Sequence, residues 1–126
     1  MIRILIIEDD EEMRALLRDS LVEEGIEFDS AGNGSEAIRK LVEGPFDLVI
    51  TDIRMPGLTG LDLLPGIKKL QPETFVIVIT AFGGEEVRRK SFDRGATAYL
   101  EKPINMNRLK TLVQEMVSAK EKGARV

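Results

Sequence analysis

The sequence predicts an α/β domain in which one parallel β-sheet is covered by helices on both faces. Three observations carry that prediction. Short apolar runs rich in Ile and Val recur along the chain. Several are nearly continuous rather than alternating, which is the pattern of strands buried on both sides. Stretches with helical apolar spacing separate them, so strand and helix alternate at lengths that suit right-handed βαβ crossovers.

Ile2 to Ile7 reads as the first strand. Met13, Leu16, Leu17 and Leu21 then share a helix face, and Gly25 ends that segment. Ile26 to Ser30 is the second strand. Asn33 or Ser35 is placed to cap a helix whose face is Ala37, Ile38, Leu41 and Val42, with Gly44 as its stop. Phe46 to Thr51 is the third strand. Leu61, Leu64 and Ile67 make the next helix face, but Pro65-Gly66 lies inside it. Proline removes a helical hydrogen bond and crowds the preceding turn, so a kink or an early break is expected near Leu64.

Thr74 to Thr80 is the fourth strand. The helix over roughly 84–94 is weaker: Val87 and Phe92 stand among six charged residues of Glu85-Glu86, Arg88-Arg89-Lys90 and Asp93. Such sparse anchoring suits a surface helix, and also an element that moves. Ala96 to Leu100 is the fifth strand. Asn105 is placed to cap a last helix with the face Met106, Leu109, Leu112, Val113, Met116 and Val117.

Composition excludes several chemistries. The 126 residues contain no cysteine and no histidine, which removes thiolate metal sites, Ser-His-Asp hydrolysis and phosphohistidine chemistry on this chain. The net charge of −4, with no long basic run, argues against direct nucleic-acid binding by this segment. No apolar run reaches membrane-spanning length and no secretory leader is legible, so a cytoplasmic location without membrane contact is expected. A length of 126 residues suits one domain with a real core.

In open α/β sheets, ligands bind outside the carboxyl ends of the strands. The first strand delivers Glu8, Asp9 and Asp10, within the run IEDDEE; the third delivers Asp52, the fourth Thr80 and the fifth Lys102. Each has an ordinary reading alone. Acids in a first turn complement the helix dipole, Asp52 can cap a turn, Thr80 can bond backbone, and Lys102 can pair with a nearby acid. Together they make a chemical set. Carboxylates crowded at one spot need a cation, and oxygen donors without His or Cys suit a hard one, most naturally Mg2+. A hydroxyl and an ammonium facing them suit an anion such as phosphate. Asp52 then supplies a nucleophile, since carboxylates form aspartyl phosphates.

The motifs LIIEDDEEMR, DLVITDIRMPGLTGLDLL, VIVITAF and AYLEKPI, in this order, resemble those of the response-regulator receiver domains of two-component signalling. The resemblance runs from Met1 to about Val117. It implies a flavodoxin-like, doubly wound (βα)5 three-layer sandwich with strand order 2-1-3-4-5, a receiver over 1–118, and 119–126 as a polar tail or the start of a linker. It further implies that Asp52 accepts a phosphoryl group from a partner histidine kinase or phosphotransfer protein, and that Thr80 and Lys102 hold the phosphoryl oxygens. Glu8, Asp9, Asp52 and the Arg54 backbone carbonyl would bind Mg2+, which Mn2+ can replace, with Asp10 as the alternative in the neighbouring register. Thr80 and Tyr99 would be the switch pair, altering the face built from helix four, strand five and helix five. Arg54 and Phe82 would tune the lifetime of the phosphorylated state, and Lys102-Pro103 would be cis. Such a chain is not a conventional enzyme, yet it catalyses its own phosphorylation and dephosphorylation.

Rival readings fit less well. A haloacid-dehalogenase-like phosphatase needs a second Asp two residues after the nucleophile, where this chain has Arg54. No glycine-rich phosphate loop of the GxGxxG or GxxxxGK[ST] kind follows the first strand. A degenerate receiver acting only as an interaction module would be expected to lack one of the site groups. TDIRMPG and TAFG resemble receivers of transcriptional regulators that carry ATPase and DNA-binding domains, so an output domain or target protein, and a receiver homodimer, are the further partners implied.

Overall fold

A computed structural model describes residues 1–55, 57 and 59–124 of the chain. The elements alternate strictly: β1 (Ile2–Ile7), α1 (Glu11–Leu21), β2 (Ile26–Ala31), α2 (Gly34–Glu43), β3 (Leu48–Asp52), α3 (Gly60–Leu70), β4 (Phe75–Thr80), α4 (Glu85–Asp93), β5 (Ala98–Glu101) and α5 (Met106–Ala124). The five strands form one parallel sheet in the order β2-β1-β3-β4-β5. The parallel sheet is the one the apolar pattern predicts, and its order is the one the receiver resemblance implies.

The strands divide their side chains between two faces with period two. Leu5, Ile7, Val49, Val76 and Val78 face a core shared with Ala37 and Leu41 of α2 and Leu63, Leu64 and Ile67 of α3. Ile4, Ile6, Leu48, Ile50, Ile77 and Ile79 face a second core with Leu17 and Leu21 of α1 and Leu109, Leu112, Val113 and Met116 of α5. The continuous apolar runs are therefore the signature of a central sheet, and each fully buried Ile or Leu contributes about 1.5–3 kcal/mol of transfer free energy.

Caps fix the helix starts. Asp10 accepts from the N–H groups of Glu12 and Met13 and caps α1. Asn33 accepts from Glu36 N–H and caps α2; Ser35 does not. Thr59 caps α3, and Asn105 Oδ1 accepts from Arg108 N–H at 3.1 Å. Gln71, the C-cap of α3, ties the base of the sheet together: its amide donates to the carbonyls of Leu41 and Gly44, and its oxygen accepts from Phe46 N–H.

Some expectations need correction. α3 does not break near Leu64; it continues through Pro65 to Leu70. The Leu61 carbonyl that Pro65 leaves without a helical donor accepts instead from Arg94 of another helix, described below. Leu16 and Val42 are not core residues but are half or more exposed, because each lies at the solvent edge of its helical stripe. Ser91, not Phe92, is the buried residue of α4; its hydroxyl donates to Val87 O one turn back, so burial leaves it satisfied. β5 starts at Ala98 rather than Ala96, since Ala96 N–H is already committed to Ser91 O in the turn after α4. Residues 119–124 continue α5, and the remaining tail residues, Arg125 and Val126, lie outside the described residues.

Candidate functional site at the carboxyl end of the sheet

Parallel pairing brings the ends of β1, β3, β4 and β5 to one edge. Ile7 pairs with Thr51, Asp52 with Ile79, and Thr80 with Glu101. Glu8, Asp52, Thr80 and Lys102 thus each sit at a strand end or one step past it. Glu8 N–H donates to Ala31 O at 3.0 Å, holding the exit of β1, while Arg14 Nη1 reaches back to Glu8 O at 2.8 Å. Lys102 N–H donates to Thr80 O at 2.8 Å, so the fourth and fifth strand ends are tied by backbone.

The centre is two buried carboxylates and one ammonium. Glu8 is 3% exposed and Asp52 6%. Lys102 Nζ lies 2.7 Å from Asp52 Oδ2 and 3.4 Å from Glu8 Oε2. The other oxygen of Asp52, Oδ1, accepts from Arg54 N–H at 3.0 Å. Glu8 Oε1 accepts from Asp10 N–H at 3.3 Å. Thr80 is fully buried, and its Oγ accepts from Phe82 N–H at 3.0 Å. That leaves its hydroxyl hydrogen as what it offers an anion.

The electrostatics follow from these contacts. Burial pushes the Glu8 carboxyl up to about 7, and the neighbouring Asp52 charge adds to the rise against a smaller pull from Lys102. For Lys102, burial alone would lower the pKa, but its hydrogen bond to Asp52 and the charges of Glu8 and Asp52 outweigh that and raise it. Two acids share one base, so the site has anionic capacity left over.

Asp9 and Asp10 are exposed beside this pair, and Asp10 is engaged as the α1 cap. Among the described residues no three acidic side chains are gathered into a ready-made cation cage. The donor chemistry nevertheless fits a hard divalent ion: Glu8 and Asp52 bring carboxylate oxygens to one buried spot with too little positive charge to balance them.

Three further residues surround the centre. The Arg54 guanidinium carbon lies 4.1 Å from the centroid of the Phe82 ring, and Phe82 is 58% exposed. The two side chains therefore stack on each other in a cation–π contact. Tyr99 is partly buried against the core formed with α2 and α3; its hydroxyl is 3.4 Å from Glu101 Oε1. It lies over Gly83, where a Cβ would come within 2.1 Å of the Tyr99 oxygen. The Lys102-Pro103 peptide bond is cis.

Sequence reasoning passed over Gly60 and Arg94. A Cβ on Gly60 would stand 2.3 Å from Asp52 O and 2.8 Å from Ile53 Cα, so the first turn of α3 presses on the strand that carries Asp52. The legible signal was a glycine directly after the Thr59 cap.

Comparison with known proteins agrees with this architecture. Residues 4–114 match the family model of the response regulator receiver domain. The chain is 37% identical over 116 residues to the DNA-binding transcriptional regulator NtrC of Azospirillum brasilense, covering 92% of this chain and 24% of that protein. It is 38% identical over 109 residues to the response regulator protein PilR of Pseudomonas aeruginosa, covering 86% and 24%. The chain thus spans about a quarter of the length of these curated relatives. Among solved structures it is similar to a CheY-like receiver domain protein from Methanospirillum hungatei JF-1, with TM-score 0.90, 32% identity and 98% of each chain covered. It is also similar to the response regulator TrrA from Thermotoga maritima in complex with Mg(2+)-BeF, with TM-score 0.81, 39% identity, and 92% of this chain and 99% of that one covered. The chain, with its 2-1-3-4-5 sheet and its acids, hydroxyl and lysine gathered at the strand ends, belongs to the response regulator receiver domain family.

Proposed function

We propose that Asp52 is a phosphoacceptor and that its phosphorylation switches the α4-β5-α5 face. The observation that carries this reading is the Lys102 ammonium bridging Asp52 and Glu8. A buried nucleophilic carboxylate beside a cation and a second acid is costly to maintain for packing alone, but it suits transfer of an anionic group.

In the transfer, an Asp52 carboxylate oxygen attacks phosphorus of a phosphohistidine on a partner kinase or phosphotransfer protein. The new O–P bond makes an acyl phosphate as the P–N bond breaks, and the donor imidazole leaves with a proton from water. Lys102 follows the charge from the carboxylate to a phosphoryl oxygen. Thr80 turns its hydroxyl hydrogen to another. Arg54 N–H, already on Asp52 Oδ1, holds the carboxylate in orientation. Later, water attacks the same phosphorus, the O–P bond breaks, and inorganic phosphate leaves a free carboxylate.

Glu8, Asp9, Asp52 and the Arg54 carbonyl would hold Mg2+, or Mn2+ in its place. When bound, it supplies positive charge that offsets the anionic transfer. Asp10 is committed as the α1 cap, which favours this register over the alternative with Asp10 as ligand.

The switch reading rests on Thr80 and Tyr99. Thr80 Oγ accepts from Phe82 N–H, so a Thr80 turned toward phosphate releases the start of the loop leading to α4. Tyr99 lies over Gly83 in that same loop. The receiver then communicates with an output domain, a target protein or a second receiver through that face, with control of transcription as the output that similarity to the DNA-binding transcriptional regulator NtrC suggests. No helix here is long and apolar enough among the described residues to cross a membrane.

The test is the intact mass of the protein after incubation with acetyl phosphate, with and without Mg2+, for wild type and Asp52→Asn. One phosphoryl adduct that needs Mg2+ and is absent from the variant supports the reading. An adduct that survives in Asp52→Asn assigns the acceptor elsewhere.

A further inference from the structure

The two ends of α4 are held in different ways. At its start the chain passes through Gly83 and Gly84; Gly84 is the N-cap at φ +131°, and no side chain caps the helix. The body of α4 is lightly anchored, with Ser91 as its buried residue and Val87 leaning on the core. Its far end reaches across to α3. Arg94, the C-cap residue, donates from Nη1 to the Leu61 carbonyl at 3.0 Å and lies 3.8 Å from Asp62 Oδ1.

The identity of that carbonyl is the informative part. In an α-helix the oxygen of residue i accepts from the N–H of residue i+4. For Leu61 that residue is Pro65, which has no N–H to give. The guanidinium of one helix therefore occupies an acceptor that a proline has released in another. It also offsets one of the two costs of Pro65 in α3: the acceptor left without its helical donor is satisfied from outside. A second contact lies beside it. Gly95 has φ +110°, and a Cβ there would stand 2.6 Å from Lys68 Cγ, so the Lys68 stem rests directly on the turn that follows α4.

We propose that Pro65 and Arg94 form a pin that fixes the C-terminal end of α4 to α3, leaving the glycine end, next to Phe82 and Thr80, as the end that moves. Arg94 is a positioning residue in this scheme, and the stiffness of the α4 face is set from α3. The inference deepens the proposed switch and rests on it for its purpose. The pin itself is a property of the unphosphorylated protein and is measured without phosphoryl chemistry.

The experiment is amide hydrogen exchange across residues 85–95 in four proteins: wild type, Arg94→Ala, Pro65→Ala and the double variant. An alanine at 65 brings back an N–H that bonds Leu61 O within α3 and so takes over the acceptor. Arg94→Ala is expected to speed exchange at the C-terminal half of α4 by about three- to tenfold, as loss of one charge-assisted hydrogen bond would. In the Pro65→Ala background the same change is expected to do much less. Unchanged exchange in Arg94→Ala, or equal acceleration in both backgrounds, overturns the pin. Pro65→Ala adds a better helix former, so that arm stays readable if Arg94→Ala folds poorly; if Pro65→Ala alone leaves α4 exchange unchanged in a folded protein, the pin is likewise overturned. If neither acetyl phosphate nor a phosphohistidine donor loads Asp52, the switch reading falls and this result stands on its own.

Discussion

Lys102 Nζ lies 2.7 Å from Asp52 Oδ2, and the same ammonium is the nearest cation to Glu8. One base therefore serves two buried acids, and removing the base is a different experiment from removing an acid. Lys102→Met leaves two carboxylates facing each other without a cation. It is expected to lower stability near neutral pH by about 2–3 kcal/mol, less than for a wholly buried pair because Glu8 can take up a proton. Asp52→Asn leaves a one-to-one pair of Glu8 and Lys102 and is expected to cost under about 1 kcal/mol, or to stabilise. Urea unfolding midpoints in metal-free buffer decide it. A larger loss in Asp52→Asn than in Lys102→Met would contradict the arrangement.

The Glu8 carboxyl makes stability fall with pH over a defined window. Its pKa is raised from the ordinary 4.5 to about 7 by burial and by Asp52. The folded protein therefore holds a proton that the unfolded chain releases. That contribution is complete below about pH 4.5 and is lost as pH rises through about 7. Glu8→Gln is expected to flatten this window, and a saturating divalent cation to restore stability at its upper end by binding the folded state. Thermal unfolding at intervals from pH 5 to pH 8, with chelator and with Mg2+, is the measurement. A slope unchanged in Glu8→Gln would assign the titration to another group.

The Arg54–Phe82 stack makes the two residues energetically dependent on each other. In the proposed function, a stack two residues past Asp52 and two past Thr80 would slow the access of water to the aspartyl phosphate, and it exists only while both side chains are present. Phe82→Ala and Arg54→Ala are each expected to speed loss of the aspartyl phosphate by about two- to fivefold, with the double variant little faster than either, since a cation–π contact is worth about 0.5–1 kcal/mol at an exposed site. Phosphate release after removal of the donor measures this. Fully multiplicative effects would show that the residues act separately.

Two glycines in α3 are expected to respond in opposite directions. Gly60→Ala drives a Cβ to 2.3 Å from Asp52 O, a backbone atom that cannot swing aside. It is expected to cost about 2–4 kcal/mol and to impair phosphorylation by displacing the strand end. Gly66→Ala meets only Ile38 Cδ1 at 3.7 Å, an ordinary contact, and is expected to gain about 0.5–1 kcal/mol as alanine replaces glycine in a helix interior. Circular-dichroism melts of the two variants check both signs.

Much of this was legible in the chain, for identifiable reasons. The strands announced themselves because a parallel sheet covered on both faces leaves no polar alternation to confuse the pattern, as in Ile4-Leu5-Ile6-Ile7 and Val76-Ile77-Val78-Ile79. The site residues could be collected because they follow directly on those runs. Helix faces were read less well. Leu16 and Val42 keep helical spacing but lie past the edge of the buried stripe, and periodicity does not report stripe width. Pro65 was read locally, as a kink or an early break, because the donor that takes up its freed acceptor stands 29 positions later in the chain, at Arg94. The Arg54–Phe82 stack was hidden for the same reason: two strand-end residues meet only after the sheet has formed.

The position of Tyr99 over Gly83 has an optical consequence. The chain contains one tyrosine and no tryptophan. Light absorbed on the red side of the phenylalanine band is therefore taken up and re-emitted by a single ring, and that ring rests on the loop joining Thr80 to α4. The Glu101 carboxylate near its hydroxyl is a natural quencher by proton acceptance. Any rearrangement that parts the ring from Gly83 or from Glu101 alters the brightness of the whole molecule, so the unlabelled protein carries its own reporter at the junction between the proposed phosphoryl site and the surface it would control.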